Sequence, residues 1–414
     1  MAYYFLFPEN DATMYSHPDR AGMNTGRDEI LELVKERGNT DQNYYPSRIA
    51  IKFKEEEIAS VISNTIGGDK FVEENTQVSL QLISVQAKNL TSTQLLEVYA
   101  ISQSWNEGTN KYLNLPSESN GISWNFRDNS IIATAWNTSS LGGIGTSAVN
   151  YGFIIDNYEN AVGTTGSIVS SSNEGGPITP GGGVWYTGSG FQSSQQFLQG
   201  DNLDTNFDVT KIVAKFSQSY FNDAQYPTGI SNQGFLIKQI DSVESNISTS
   251  FGELQYFSQD THTIYPPKLA FKWDDSVNQT NLYDTGSRVQ SGSVHVSLYN
   301  NQPEYNQNAS PEFRFHIRDK FPQRTFTTSS NYIQNKRFKA GDACLYSIRD
   351  AYSEEEIIPF TPGYTRLSHD GESSFFKLYM NGLQPERYYR ILIKHTNNDG
   401  ITIYDNDYYF KVVR

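Results

Sequence analysis

Period-two alternation is the feature that most narrows what this chain can become. Residues 268–273, KLAFKW, set Leu269, Phe271 and Trp273 on one side of an extended backbone and Lys268, Ala270 and Lys272 on the other. That is the pattern of a half-buried strand. Pro266 and Pro267 stand just ahead of it, where no ladder has begun and their missing N–H donors cost nothing. Residues 47–53, SRIAIKF, alternate Ile49, Ile51 and Phe53 in the same way. Residues 78–85 and 95–102 repeat the pattern on either side of a polar turn at 88–93, so they are expected to pair as a hairpin. A shorter alternation at 11–16 suggests a first strand.

Composition points the same way. Aromatics make up 14% of the chain and charged residues 19%, beside 31 glycines, a mixture that favours strands and turns over helices. The fold class is therefore read as all-β, and 414 residues exceed one ordinary domain. A formal net charge of -14 argues against an electrostatic grip on phosphates, so nucleic acid is not an expected partner. No run of about 18 apolar residues occurs, so no membrane partner is expected. The opening residues, MAYYFLFPENDATMYS, carry no basic stretch or small-residue cleavage site and do not read as a secretory leader. The single cysteine, Cys344, excludes an intramolecular disulfide and reads as a buried small hydrophobe. These features suit a chain made in a cytoplasm.

Two segments carry helical spacing. Residues 206–216 place Val209, Ile212, Val213 and Phe216 on one face, with Asp208 as cap. Residues 25–38 are ambiguous. Thr25 and Gly38 bracket a helix with Ile30, Leu31 and Val34 on one face, yet read with period two the same letters give a strand at 29–35. Between 105 and 190 the texture changes to Gly, Ser, Asn and Thr, and 163–183 reads as a long surface excursion. Beyond 275 a polar linker leads to further strands, and near the end NNDG at 397–400 marks a turn between apolar runs.

Several of these pieces, taken in order, resemble the DNRLRE-type domain, a jelly-roll-like β-sandwich of secreted prokaryotic proteins and bacteriophage virion proteins. Ser47, Arg48, Ile49, Ile51 and Phe53 match its early strand; Ser102, Trp105 and Glu107 match S-x-x-W-x-E. Gly121 with Trp124, and Gly182 with Trp185, look like its G-x-x-W element. Asp208, Val209 and Thr210 match the helix start, and Asn232, Gly234 and Phe235 the strand after it. The resemblance implies a strand just before SR-x-L, which decides for a strand at 29–35 against local propensity. Leu383, Pro385 and Tyr389 are similar to the L-x-P-x-x-x-Y element of fibronectin-type and immunoglobulin-like domains, where the tyrosine bonds back to the main chain. The expected layout is a jelly-roll-like sandwich with one short helix over 1–275, interrupted by a Gly/Ser-rich insertion at about 125–200. A linker at 276–290 and a smaller Ig-like sandwich over 291–414 follow.

Chemistry is not expected. The six histidines show no metal-ligand spacing, and no G-x-S-x-G elbow or P-loop is present. His262 reads as satisfied by neighbouring hydroxyls. Asp274 and Asp275, adjacent on a strand, would face opposite ways, and Asp405–Asp407 reads as a plain turn rather than a calcium loop. No catalytic residue, cofactor or metal is assigned. Trp105, Trp124, Trp273 and Tyr389 are expected in the core. Trp136, Trp185 and Tyr186, in the glycine-rich region, are the candidates for an exposed ligand or subunit contact. The leading expectation is a non-enzymatic structural protein of a tailed bacteriophage virion, in the neck, tail, baseplate or capsid exterior. It would contact other virion proteins and copies of itself. A carbohydrate-binding or adhesive module using exposed tryptophans, with a glycan partner, is the alternative.

Overall fold

The computed structural model describes residues 2–40, 42–67, 71, 75–90, 93–112, 120–136, 167–170, 181–187, 190–198, 201–221, 230–244, 246, 248–277, 289, 293–322, 335–338, 341–370, 372–397 and 400–414. Most of the 125–200 insertion and of the 276–290 linker lie outside them. The fold is all-β, a jelly-roll-like sandwich and an Ig-like sandwich. The chain divides into two compact units: Leu6–Asp69 with Gln77–Ala270, and Met1–Phe5 with Lys70–Thr76 and Phe271–Arg414. The contiguous 1–275 domain read from the sequence is thus redrawn. The first strand, Ala2–Leu6, and the segment around 70–76 fall largely with the C-terminal body.

The larger unit is built on the strand Tyr44–Lys52, buried along nearly its whole length. It runs antiparallel to Phe235–Gln239, with Phe235 opposite Ile51 and Ile237 opposite Ile49, and to Asn10–Tyr15, with Asp11 opposite Ile51. Residues 30–37 are a strand, Ile30–Arg37, because Leu31 and Leu33 fit opposite Tyr256 and Leu254 and become fully buried. Tertiary pairing here outweighs helical propensity. The hairpin expected between 78–85 and 95–102 does not form. Thr76–Leu82 pairs instead with Thr205–Asp208, Leu80 facing Phe207, while Thr93–Ala100 is flanked by Gln192–Leu198 and Phe235–Gln239. Between them Ser84–Lys88 peels away to pair with Glu253–Phe257. Lys268–Trp273 is a strand, but it is covered on both sides rather than half-buried, since Ala270 and Lys272 are buried as well as Leu269, Phe271 and Trp273.

The helix Thr210–Phe221 starts where Asp208 Oδ1 accepts from the Thr210 N–H at 3.1 Å and from its hydroxyl at 2.6 Å. It is not alone. Glu55–Ser60 continues as a π-helical stretch, Val61–Gly67, burying Ile58, Val61, Ile62 and Ile66 behind an acidic first turn.

In the smaller unit one sheet orders Val294–Tyr299, Glu312–Asp319, Ser374–Lys377 and Ser368–His369. The other orders Glu304–Asn306, Gly400–Val413, Tyr388–Asn397, Cys344–Asp350 and Glu356–Ile358. Its core is aromatic: Tyr346 stacks on Phe376 at 4.1 Å, and Phe313 meets both Phe376 and Phe410. Tyr389 is buried and its hydroxyl donates to the Gln384 carbonyl at 3.0 Å, closing the corner that the L-x-P-x-x-x-Y resemblance implies. Tyr388–Asn397 and Gly400–Val413 form the terminal hairpin, Asn397 facing Gly400; residues 398 and 399 of NNDG lie outside the described residues.

Candidate functional site

The residues singled out for contact are buried. Trp136, Trp185 and Tyr186 retain 4%, 2% and 7% of their surface, which corrects the expectation that they face solvent. With Trp105 and Trp124 they put four of the five tryptophans into a single buried cluster, and Trp273 and Tyr389 are buried in the other unit. Trp136 Nε1 donates to the Ser123 carbonyl at 3.0 Å, and Tyr186 stacks on Phe191 at 5.4 Å. Rings enclosed in this way offer no face for a pyranose to stack on.

Glycine explains how a strap, residues 181–186, reaches this cluster. Gly181, Gly182 and Gly183 all have positive φ. A Cβ on Gly182 would lie 2.6 Å from the Trp124 ring and one on Gly181 2.2 Å from the Trp124 carbonyl, so the backbone itself packs on the indole. The Gly182 N–H donates to that carbonyl at 2.7 Å.

Arg48, from the SR-x-I strand, is clamped at this point. Its guanidinium sits 4.5 Å from the Trp124 ring centre and 5.1 Å from that of Trp185. It donates through Nε and Nη2 to the two oxygens of Glu244, at 3.2 and 2.7 Å, and through Nη1 to the carbonyls of Gly181 and Gly182. The planar fork matches a carboxylate edge while its faces meet the indoles. Lys238, fully enclosed, lies 3.5 Å from the same Glu244 and 2.6 Å from Asp241. The Arg48, Glu244 and Lys238 side chains are 3%, 7% and 0% exposed and bond within the same unit, while Asp241 is left largely to solvent. Glu244 escapes a reading of the sequence because it matches no motif and lies 196 positions beyond Arg48, and Lys238, although on the strand after Gly234, reads as an ordinary polar position.

A second polar cluster gathers around Glu107, the acid of S-x-x-W-x-E. The Asp11 N–H donates to Glu107 Oε1 at 3.1 Å, and Gln259 Nε2 donates to the same oxygen. Asn24 Nδ2 donates to the Glu107 carbonyl at 2.6 Å. The Gln259 N–H donates to Asp11 Oδ2 at 2.7 Å, and Arg27 reaches Glu107 at 3.5 Å and Asp260 at 3.3 Å. Burial pushes the Glu107 carboxyl up to about 7; the Asp11 N–H and Arg27 oppose the rise and the Asp260 charge adds to it. Burial likewise lifts Asp11 well above the usual carboxylate range.

Other candidates disperse. The His262 side chain is 90% exposed, 3.8 Å from Glu29, and not held among hydroxyls as expected. Its place in the turn before Pro266 leaves nothing packed over it. Asp274 lies past the strand end and pairs with Arg366 at 3.0 Å. Residues 405–407 are not a turn but part of Gly400–Val413, where the register shifts and Asp405 takes Arg390 bidentately. Cys344 is fully buried and its thiol is pushed well above its ordinary value by burial. Among the described residues no three His, Cys, Asp or Glu form a metal-holding group, and no helix is long and apolar enough to cross a membrane.

Large apolar side chains face outward at scattered places, Ile131, Ile132, Leu198, Tyr299 and Phe321 among them, and several are grouped on the terminal hairpin. Tyr388 and Tyr409 are 42% and 37% exposed, and Ile401 and Ile403 64% and 54%. The register puts Arg390 beside Tyr409, Lys394 beside Ile403 and Thr396 beside Ile401, so these pairs share sheet faces. Tyr352, 80% exposed, meets Tyr388 edge-on at 6.0 Å. No family model matches the chain, and no curated protein matches it.

Proposed function

We propose that this chain is a non-enzymatic structural protein of a tailed bacteriophage virion that acts through contacts with other virion proteins and with copies of itself. The observation that carries the reading is the contrast between inside and outside. The Arg48, Lys238 and Glu244 side chains are spent on one another and on the tryptophans, while large apolar and tyrosine side chains of the terminal hairpin are left to solvent. Rigid tyrosines and aliphatic groups on a sheet suit protein contacts at low entropic cost. The DNRLRE-type resemblance supplies the virion context, and the net charge of -14 supports partners other than nucleic acid. Place of work would be the virion, after synthesis in the host cytoplasm. Mass spectrometry of density-purified particles tests the reading: peptides of this chain at constant ratio to the major virion proteins are expected, and its absence from intact particles overturns it.

A further inference from the structure

The five-stranded sheet of the smaller unit has an open edge. Gly400–Val413 pairs with Tyr388–Asn397 along one side. Along the other, Lys411–Val413 is taken by Glu304–Asn306, and the Asn406 amide and Tyr408 hydroxyl both donate to the Val296 carbonyl, at 2.8 and 2.7 Å. The stretch 400–404, GITIY, has no strand on that side among the described residues. Asn397 faces Gly400 across a two-residue turn, a register that closes only if these two exchange both backbone bonds. Alternation makes Thr402 and His395 the next such pair, so the N–H and C=O groups of Ile401 and Ile403 point out of the sheet edge. Their side chains are largely exposed on the outer sheet face. Usual guards are missing here: 400–404 holds no charge and no proline, and Asp405, the first charge along the strand, is held by Arg390. The far edge of the same sheet is guarded. Glu356–Ile358 is three residues long, has a register shift, pairs Glu356 with Arg349 and runs into Pro359.

We propose that a second copy of this chain pairs with the open edge at 400–404, antiparallel and about a two-fold axis through Thr402. Outward backbone N–H and C=O groups are matched in full by another extended backbone, which makes the occupant a strand. The choice of a second copy comes from the letters themselves. I-T-I at 401–403 reads the same in both directions, so the two-fold sets Ile401 opposite Ile403 of the second copy and Thr402 opposite its own counterpart. Each Ile401 and Ile403 then exchanges both outward bonds, and the isoleucines meet side by side on the outer face. An isologous contact of this kind closes on itself and stops at a dimer. No like charges meet within 400–404, because the stretch is neutral. The pairing rests on the reading that the chain contacts copies of itself, and it names the edge that does so.

Sedimentation velocity of the full chain over a concentration series tests the pairing, and a reversible monomer–dimer equilibrium is expected. Ile403→Pro removes an outward N–H while leaving the bonds to Tyr388–Asn397 in place, and should raise the dimer dissociation constant at least about tenfold. If that variant does not fold, Ile401→Lys combined with Ile403→Lys decides, because like charges then meet across the axis and should weaken the dimer as much. The register is read separately. Thr402→Cys sets two thiols on a pair whose Cα atoms lie about 4.5 Å apart, within disulfide reach. Cys344, the native cysteine, is fully buried. An intermolecular disulfide on mild oxidation of Thr402→Cys is therefore expected. A chain that stays monomeric up to about 1 mM, a dimer that the edge variants do not weaken, or a Thr402→Cys chain that forms no disulfide overturns the proposal. A dimer formed by a chain that is missing from purified particles sustains the edge pairing and removes the virion reading. A chain present in particles but monomeric in solution does the reverse.

Discussion

Replacing Arg48 with methionine is the sharpest perturbation of the larger unit. Methionine keeps the stem volume but deletes the fork, so Glu244, with its side chain 7% exposed, is left with Lys238 at 3.5 Å as its remaining buried cation. Breaking a buried ion pair from one side costs about 3–5 kcal/mol. The donors to Gly181 and Gly182 and the contacts with two indole faces disappear as well, at about 1 kcal/mol each by general experience. These terms overlap, and a net loss of about 4 kcal/mol is expected, a large share of the stability of any domain. Glu244→Gln should cost a similar amount, since it strands two cations. The double variant should cost about 2 kcal/mol less than the sum of the singles, because the second change removes a charge already left unpaired. Urea denaturation followed by tryptophan fluorescence reads this unit, as four of the five indoles lie in its cluster. A loss below about 1 kcal/mol for Arg48→Met, or strict additivity in the double variant, would refute the assignment of Arg48 as the clamp of the strap.

Three further outcomes follow from the geometry. Tyr389→Phe removes the bond to the Gln384 carbonyl and should lower the stability of the smaller unit by about 1 kcal/mol in urea denaturation followed by circular dichroism, without altering the native spectrum. Gly182→Ala forces a side chain onto the Trp124 ring at positive φ and should cost about 2–4 kcal/mol, seen as a lower urea midpoint and a red-shifted emission. The Cys344 thiol, buried and raised by burial, should stay unlabelled by a thiol reagent at pH 8 until the chain is unfolded; rapid native labelling would contradict its place in the core.

How much of this was readable beforehand depends on how local the signal is. Alternation locates Tyr44–Lys52, Thr93–Ala100 and Lys268–Trp273 because each strand buries its own apolar row. It is silent about partners, so the expected hairpin gave way to pairings with strands more than a hundred positions away, such as Leu80 with Phe207. Ile58, Val61, Ile62 and Ile66 carry helical spacing after three glutamates, but this signal was overlooked, so the helix at Glu55–Ser60 was not expected. The tryptophans misled for a physical reason. Glycines before Trp185 resemble a surface loop, but three in a row also let a backbone lie directly on an aromatic ring, as they do on Trp124. The clamp and the Glu107 junction are long-range assemblies; Arg48, Trp124, Gly182, Trp185 and Glu107 fall in motifs, but Glu244, Asp11, Gln259 and Asp260 do not. The discontinuous C-terminal body is likewise invisible to any reading in chain order.

Cross-linking mass spectrometry of intact purified particles tests most directly whether this molecule works by being touched. Lysine-reactive links from Lys394 and Lys411, beside the exposed Ile403 and Tyr388 of the terminal hairpin, to other virion proteins or to a second copy of the chain are the predicted result. Particles in which those lysines link only within their own chain, or in which the chain is missing, would contradict the account.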